Sequence, residues 1–175
     1  MDFAIPSANF TRPADTTAYT AGDLVANSTT AGSVVPLTWT SVTPADSGPT
    51  GFRPFRIAGV RLRKTKSDVA NAQFRVHLFS TLPTFTSAGD NGAFATVVAT
   101  GNAGWLCSFD GTMVAKLVDG CSVVCKASLD APIPMLFGAA TVYGLIEALA
   151  AYTPASAEVF TADLLVERDY GRMVP

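Results

Sequence analysis

The side chains able to do chemistry form a short roster: one histidine, His77, three cysteines, Cys107, Cys121 and Cys125, three glutamates, Glu147, Glu158 and Glu167, scattered aspartates, and one basic run. A serine- or cysteine-nucleophile site would have to recruit His77 as its base. His77 lies in "NAQFRVHLFS", where Phe74, Val76 and Leu78 alternate with Gln73, Arg75 and His77. That period predicts a half-buried strand with His77 on its polar face, whereas catalytic groups collect on loops. We expect an exposed or interfacial histidine and no catalytic base. The acidic residues could supply a glycosidase pair, but no motif couples any two of them.

The thiols are odd in number and form no CxxC. On a common strand Cys121 and Cys125 would lie about 13 Å apart at about 3.3 Å per residue, beyond the roughly 4.4–6.8 Å a disulfide tolerates. His77 is remote in sequence from all three, which argues against zinc. Buried free thiols are expected. "SAGDNGAF", around Asp90, Asn91 and Gly92, lacks the regular acidic spacing of a calcium loop and reads as a turn. "GNAG" lacks the lysine of a phosphate loop. We expect no metal, no cofactor and no enzyme.

Of the candidate features, the basic run is the one that survives. Arg53, Arg56, Arg61, Arg63, Lys64 and Lys66 supply six of the twelve Lys and Arg residues within fourteen positions. In "RPFRIAGVRLRKTK" Phe55 and Ile57 share one phase and Val60 and Leu62 the other. A bulge at Ala58-Gly59 turns all four inward and sends Arg56, Arg61 and Arg63 outward. Such a face suits an acidic partner, which arginine can grip bidentately. It equally suits an edge strand guarded by charge.

These residues must be carried by β-structure. The 175-residue chain is 49% hydrophobic and 15% charged, with a net charge of −2; ordinary domains carry about 25% charge. A general nucleic-acid binder needs a basic excess, so we expect no nucleic-acid partner. The N-terminus has no basic start or long apolar centre of a secretory signal. The apolar run 131–146 is short of the roughly 20 residues of a membrane helix and holds Pro132 and Pro134. We expect no membrane partner and synthesis in a reducing cytoplasm.

Residues 1–16, with Pro6 and Pro13, read as an extended N-terminal arm laid on the body or on a neighbour, and residues 17–175 as a single domain. "GSVVPLTWTSV" reads as a strand, Pro36 marking an edge or bulge. "GTMVAKLVDGCSVVCKAS" predicts a hairpin turning at Asp119-Gly120, with Val118 facing Cys121, Lys116 facing Val123 and Val114 facing Cys125. Both its faces are apolar, so it lies between two layers or meets another subunit. Residues 142–152 are expected as a strand paired with 158–167. About eight short strands with turn signals between them predict an all-β sandwich or barrel.

The blocks "FTRPADTTAYTAGDLVANSTTAGSVVPLTW", "RIAGVRLRKTKSDVANAQFRVHLFS" and "LIEALAAYTPASAEVFTADLLVERDY" together resemble a family of small proteins encoded beside the capsid genes of tailed bacteriophages. The likeness runs from Phe10 to Tyr170 and rests on texture and block order. It implies a jelly-roll-like antiparallel β-sandwich, a homotrimer, and a head decoration or cement protein on the outer surface of the virion, with the major capsid protein as partner. It supplies no active-site residues. Partner contacts are then expected from the arm, through Phe3, Ile5, Phe10 and Arg12, and from the basic strand, through Arg53, Arg56, Arg61 and Arg63. The alternative is a glycan-binding jelly roll, for which Trp39, Trp105, Tyr152, Asp90 and Asn91 are the available pieces.

Overall fold

The computed structural model describes residues 2–40, 54–84, 89–94, 104–117, 120–127, 135–137 and 141–168. Its elements are β1 (Asp2–Ala4), β2 (Ser7–Thr11), β3 (Leu24–Val25), β4 (Leu37–Trp39), β5 (Pro54–Lys64), β6 (Gln73–Phe79), β7 (Trp105–Thr112), β8 (Ala115–Leu117), β9 (Gly120–Ala127), β10 (Met135–Phe137), β11 (Val142–Ala148) and β12 (Val159–Arg168). A 3-10 turn spans Ala31–Ser33. All strand pairs are antiparallel, and the fold is an all-β sandwich.

In the first layer β12 lies between the N-terminal strands and β5, and β5 passes to β9 and β10. The second runs from β3 and β4 through β11 and β6 to β7. Strand β9 belongs to both: Cys121–Cys125 pair with β5, whereas Lys126 and Ala127 pair with Asp110 and Phe109 of β7. The layers share the larger of two buried apolar clusters. Phe74 meets Tyr152 and Phe160 edge-on, each at 5.3 Å between ring centroids, and the Trp39 indole N–H donates to the Ala162 carbonyl at 3.1 Å. That bond satisfies a buried polar atom inside apolar packing, where an unmet donor would cost about 1–3 kcal/mol.

The alternation read in the sequence sets the faces. Phe74, Val76 and Leu78 are fully buried, as are Ile57, Val60 and Leu62. Their phase change occurs at Ala58: Leu165 pairs with Gly59 and Val166 with Ile57, leaving Ala58 as the extra residue of a bulge. The three cysteines are free and buried.

Three expectations are corrected. Residues 142–148 do form a strand, but β11 pairs with β3, β4 and β6, not with β12. The connection after it crosses to the other layer, and Tyr152, held in the core by Phe74 and Tyr19, marks the crossing. The hairpin register also differs: Leu117 faces Gly120 and Lys116 faces Cys121. Gly120 is a strand residue, and a Cβ there would sit 2.5 Å from the Lys64 carbonyl oxygen; residues 118–119, with Asp119 of the expected turn, lie outside the described residues. Third, His77 is not on open surface. Phe94 stacks on its ring at 4.3 Å, held there by its own N–H bond to the Gly22 carbonyl.

The N-terminal segment is zipped to the body. Strands β1 and β2 add consecutively to the same edge of β12. Pro6 falls between them, where it has no N–H to lose, and its carbonyl accepts the Leu164 N–H at 3.0 Å.

Candidate interaction surface

The outer face of the first layer carries the arginines. Strand β5 places Arg56, Arg61 and Arg63 outward, and β12 brings its acidic residues into register beside them: Asp163 opposite Arg61 and Glu167 opposite Arg56. Arg56 forms an ion pair with Glu167. The Arg61 Nε–H donates to Asp163 Oδ2 at 2.8 Å, and Arg63 donates through Nε and Nη2 to both carboxylate oxygens at 3.1 Å.

Asp163 is 2% exposed, while the two arginine side chains are 44% and 46% exposed. Burial works to raise the Asp163 pKa, but the hydrogen bonds from Arg63, Ser7 and Arg61 outweigh it and hold the carboxyl below its ordinary range. One carboxylate thus fixes two guanidinium groups. Each keeps outward-facing donors and the pair keeps a surplus positive charge. Exposed Val124 of β9, opposite Arg61, and exposed Ile5 extend the face.

The other expected contacts are distributed differently. Phe10 is half-buried and stacks on Phe160 at 5.9 Å; Phe3 pairs through its backbone with Glu167. Arg12 is buried and engaged within the chain: it bonds Tyr19 Oη through Nε and Asp90 Oδ2 through Nη2 at 2.7 Å. Arg53 lies outside the described residues. The surface therefore assembles Arg56, Arg61, Arg63 and Ile5, and Arg12 serves as an internal clasp for the arm.

Two charged constellations were missed in the sequence. Lys64 is buried with Glu158 (Nζ to Oε1, 2.9 Å), and the Tyr152 hydroxyl donates to Glu158 Oε2 at 2.6 Å. Lys64 stands in phase with inward Val60 and Leu62, a signal present in the sequence. On the outer face of the second layer Arg75 grips Asp110 bidentately at 2.6 and 2.9 Å. Its neighbour Glu147 accepts His77 Nε2 at 2.9 Å.

Among the described residues, the histidine and the cysteines are committed as follows. His77 is committed to Glu147 and flanked by the Trp105 indole at 3.4 Å. Burial pushes Cys107 and Cys125 up to about 12 and raises Cys121 as well, so the thiols are held protonated. Among the described residues no group of three His, Cys, Asp or Glu side chains is placed to hold a metal ion. Asp90, in the Asp-Asn-Gly turn, spends its carboxylate on Arg12, Tyr19 and the Ala26 N–H. Of the pieces for a glycan site, Trp39 and Tyr152 are core residues, and Trp105 is the exposed aromatic.

No protein-family model matches the chain, and no curated protein matches it.

Proposed function

We propose that the protein is a virion structural protein, a capsid decoration or cement protein that binds the outer surface of the major capsid protein lattice through the arginine-bearing face of β5 and β12. The observation that carries this reading is the pair Arg61 and Arg63 held half-exposed on one buried carboxylate. A cationic pair fixed in advance loses less side-chain entropy on meeting an acidic surface. On a repetitive lattice many such modest contacts add, and trimerisation multiplies them by raising the effective concentration of the second and third sites. The resemblance of the chain's three blocks to capsid-associated phage proteins supplies the choice of lattice.

The test is co-sedimentation with particles of the source virus stripped of this protein, across a salt series, comparing the parent chain with Arg61→Glu/Arg63→Glu. Saturable binding that the double variant loses, and that weakens with salt, is expected; equal binding by the variant would refute the reading. Light scattering at micromolar concentration tests the trimer, and a strict monomer would count against it. The second reading, a glycan-binding module, has exposed Trp105 beside His77 in its favour. A glycan array answers it directly.

A further inference from the structure

Beside the arginine pair, the outer face of the first layer is indented by a cleft of about 220 Å³. Arg63, Thr65, Ser122, Val159 and Thr161 line it, so it lies where the start of β9, the end of β5 and the start of β12 run side by side. We propose that this cleft is a carboxylate receptor, and that its occupant is an acidic side chain on an extended segment of the protein partner. The inference rests on the reading of this face as a protein-docking surface and names the group that the face selects.

Three observations support it. The volume is below the roughly 300–1,000 Å³ of ordinary small-molecule pockets, which suits one inserted side chain better than a free metabolite. Beside Val159 and the walls formed by Lys64, Gly120 and Cys121, the lining carries three hydroxyl groups and the Arg63 guanidinium, donors that an oxyanion can use together. Thr65 Oγ1 accepts the Val159 N–H at 3.1 Å and so has its own hydrogen left to give; among the described residues the hydroxyls of Ser122 and Thr161 have no partner within the chain. Charge then selects the class of ligand. Arg63 shares Asp163 with Arg61, exposed Lys66 stands at the same end of β5, and the nearby Asp68 is engaged by the Ala70 N–H. A carboxylate entering between Arg63 and Thr161 meets net positive charge and an unmet donor set.

The experiment is an NMR titration of the full-length ¹⁵N-labelled protein at low ionic strength with a hexaglutamate peptide, hexaglutamine serving as the uncharged control. Shifts centred on the amides of Gly120, Ser122 and Thr161 with the glutamate peptide alone are expected. Arg63→Gln, at a half-exposed position that the fold tolerates, should weaken binding by about tenfold or more, the usual worth of a hydrogen bond to a charged group. Thr161→Val should weaken it by a smaller factor. Equal shifts with hexaglutamine, shifts centred elsewhere, or unchanged affinity in Arg63→Gln would overturn the cleft. Particle binding kept in Arg63→Gln would also overturn the cleft, leaving the virion reading intact. Cleft-centred peptide binding with no particle binding would do the reverse.

Discussion

Replacing Glu158 by Gln should be among the most damaging isosteric changes available to this chain. The substitution keeps the volume and, with its single amide oxygen turned to Tyr152, an acceptor for that hydroxyl, but it sets an uncharged NH2 donor against Lys64 in place of the carboxylate oxygen 2.9 Å away. Both side chains are completely buried. Lys64 would be left with the Lys66 carbonyl at 2.8 Å and the Tyr152 ring at 5.0 Å, neither of which neutralises an ammonium. Removing one partner of a buried pair costs about 3–5 kcal/mol. At a urea m-value of about 2 kcal/mol/M, that lowers the unfolding midpoint by about 1.5–2.5 M. The double variant Lys64→Met/Glu158→Leu removes both charges and should recover most of the loss, since apolar replacements of whole buried pairs are often neutral or stabilising. Equilibrium urea unfolding of Lys64→Met, Glu158→Leu and the double variant closes a cycle and gives the coupling directly. A loss under about 1 kcal/mol for Glu158→Gln, or a double variant as damaged as the sum of the singles, would refute the claim that charge burial dominates here.

Acid stability should report Asp110 and Asp163. The Arg75 hydrogen bonds hold the Asp110 carboxyl below its ordinary range, and the arginine pair does the same for Asp163 against the opposing effect of burial. Because both folded-state values lie below the unfolded value of about 3.9, their stabilisation is complete above about pH 4–5 and is lost as pH falls through the folded values. Asp110→Asn and Asp163→Asn should each flatten the acid limb of a stability–pH curve measured by denaturant melts; an unchanged limb in both would contradict the assignment. Cys107, Cys121 and Cys125 should resist a thiol reagent in the folded protein and react together at the rate of global unfolding, and rapid labelling of any one at neutral pH would place it outside the core. Gly144→Ala should lower the melting temperature by several degrees, because the new Cβ would lie 2.6 Å from Trp39 Cη2, and overpacking costs about 1–3 kcal/mol; an unchanged melting temperature would mean that Trp39 shifts freely.

What was legible in the sequence was whatever depends on neighbours along the chain. The period of two in 73–79 and the phase change at Ala58 are local sterics, and both the strand faces and the bulge follow from them. Pairings that depend on distant chain were not legible. The strands after residue 141 looked like a hairpin because they are consecutive, yet the layers separate them. Asp119-Gly120 looked like turn chemistry, yet Gly120 is needed where its backbone presses against Lys64. Arg12 looked like a charge for an outside partner, since nothing near it foretells Asp90, 78 residues away. For the candidate surface, the outward arginines could be read, but not the single aspartate 100 residues on that holds Arg61 and Arg63 together.

The sharing of β9 has a mechanical consequence. In a sandwich joined only by loops, one sheet can open while the other holds. Here a continuous backbone is hydrogen-bonded first to Val60–Lys64 and then to Phe109 and Asp110, so opening either sheet tears the same strand. Hydrogen exchange from Cys121 to Ala127 should therefore proceed only through whole-domain opening, with the amides of both layers exchanging at one common limiting free energy. A protein built this way would yield to an applied pull all at once, without a partly opened form that leaves a sheet edge available for misassembly.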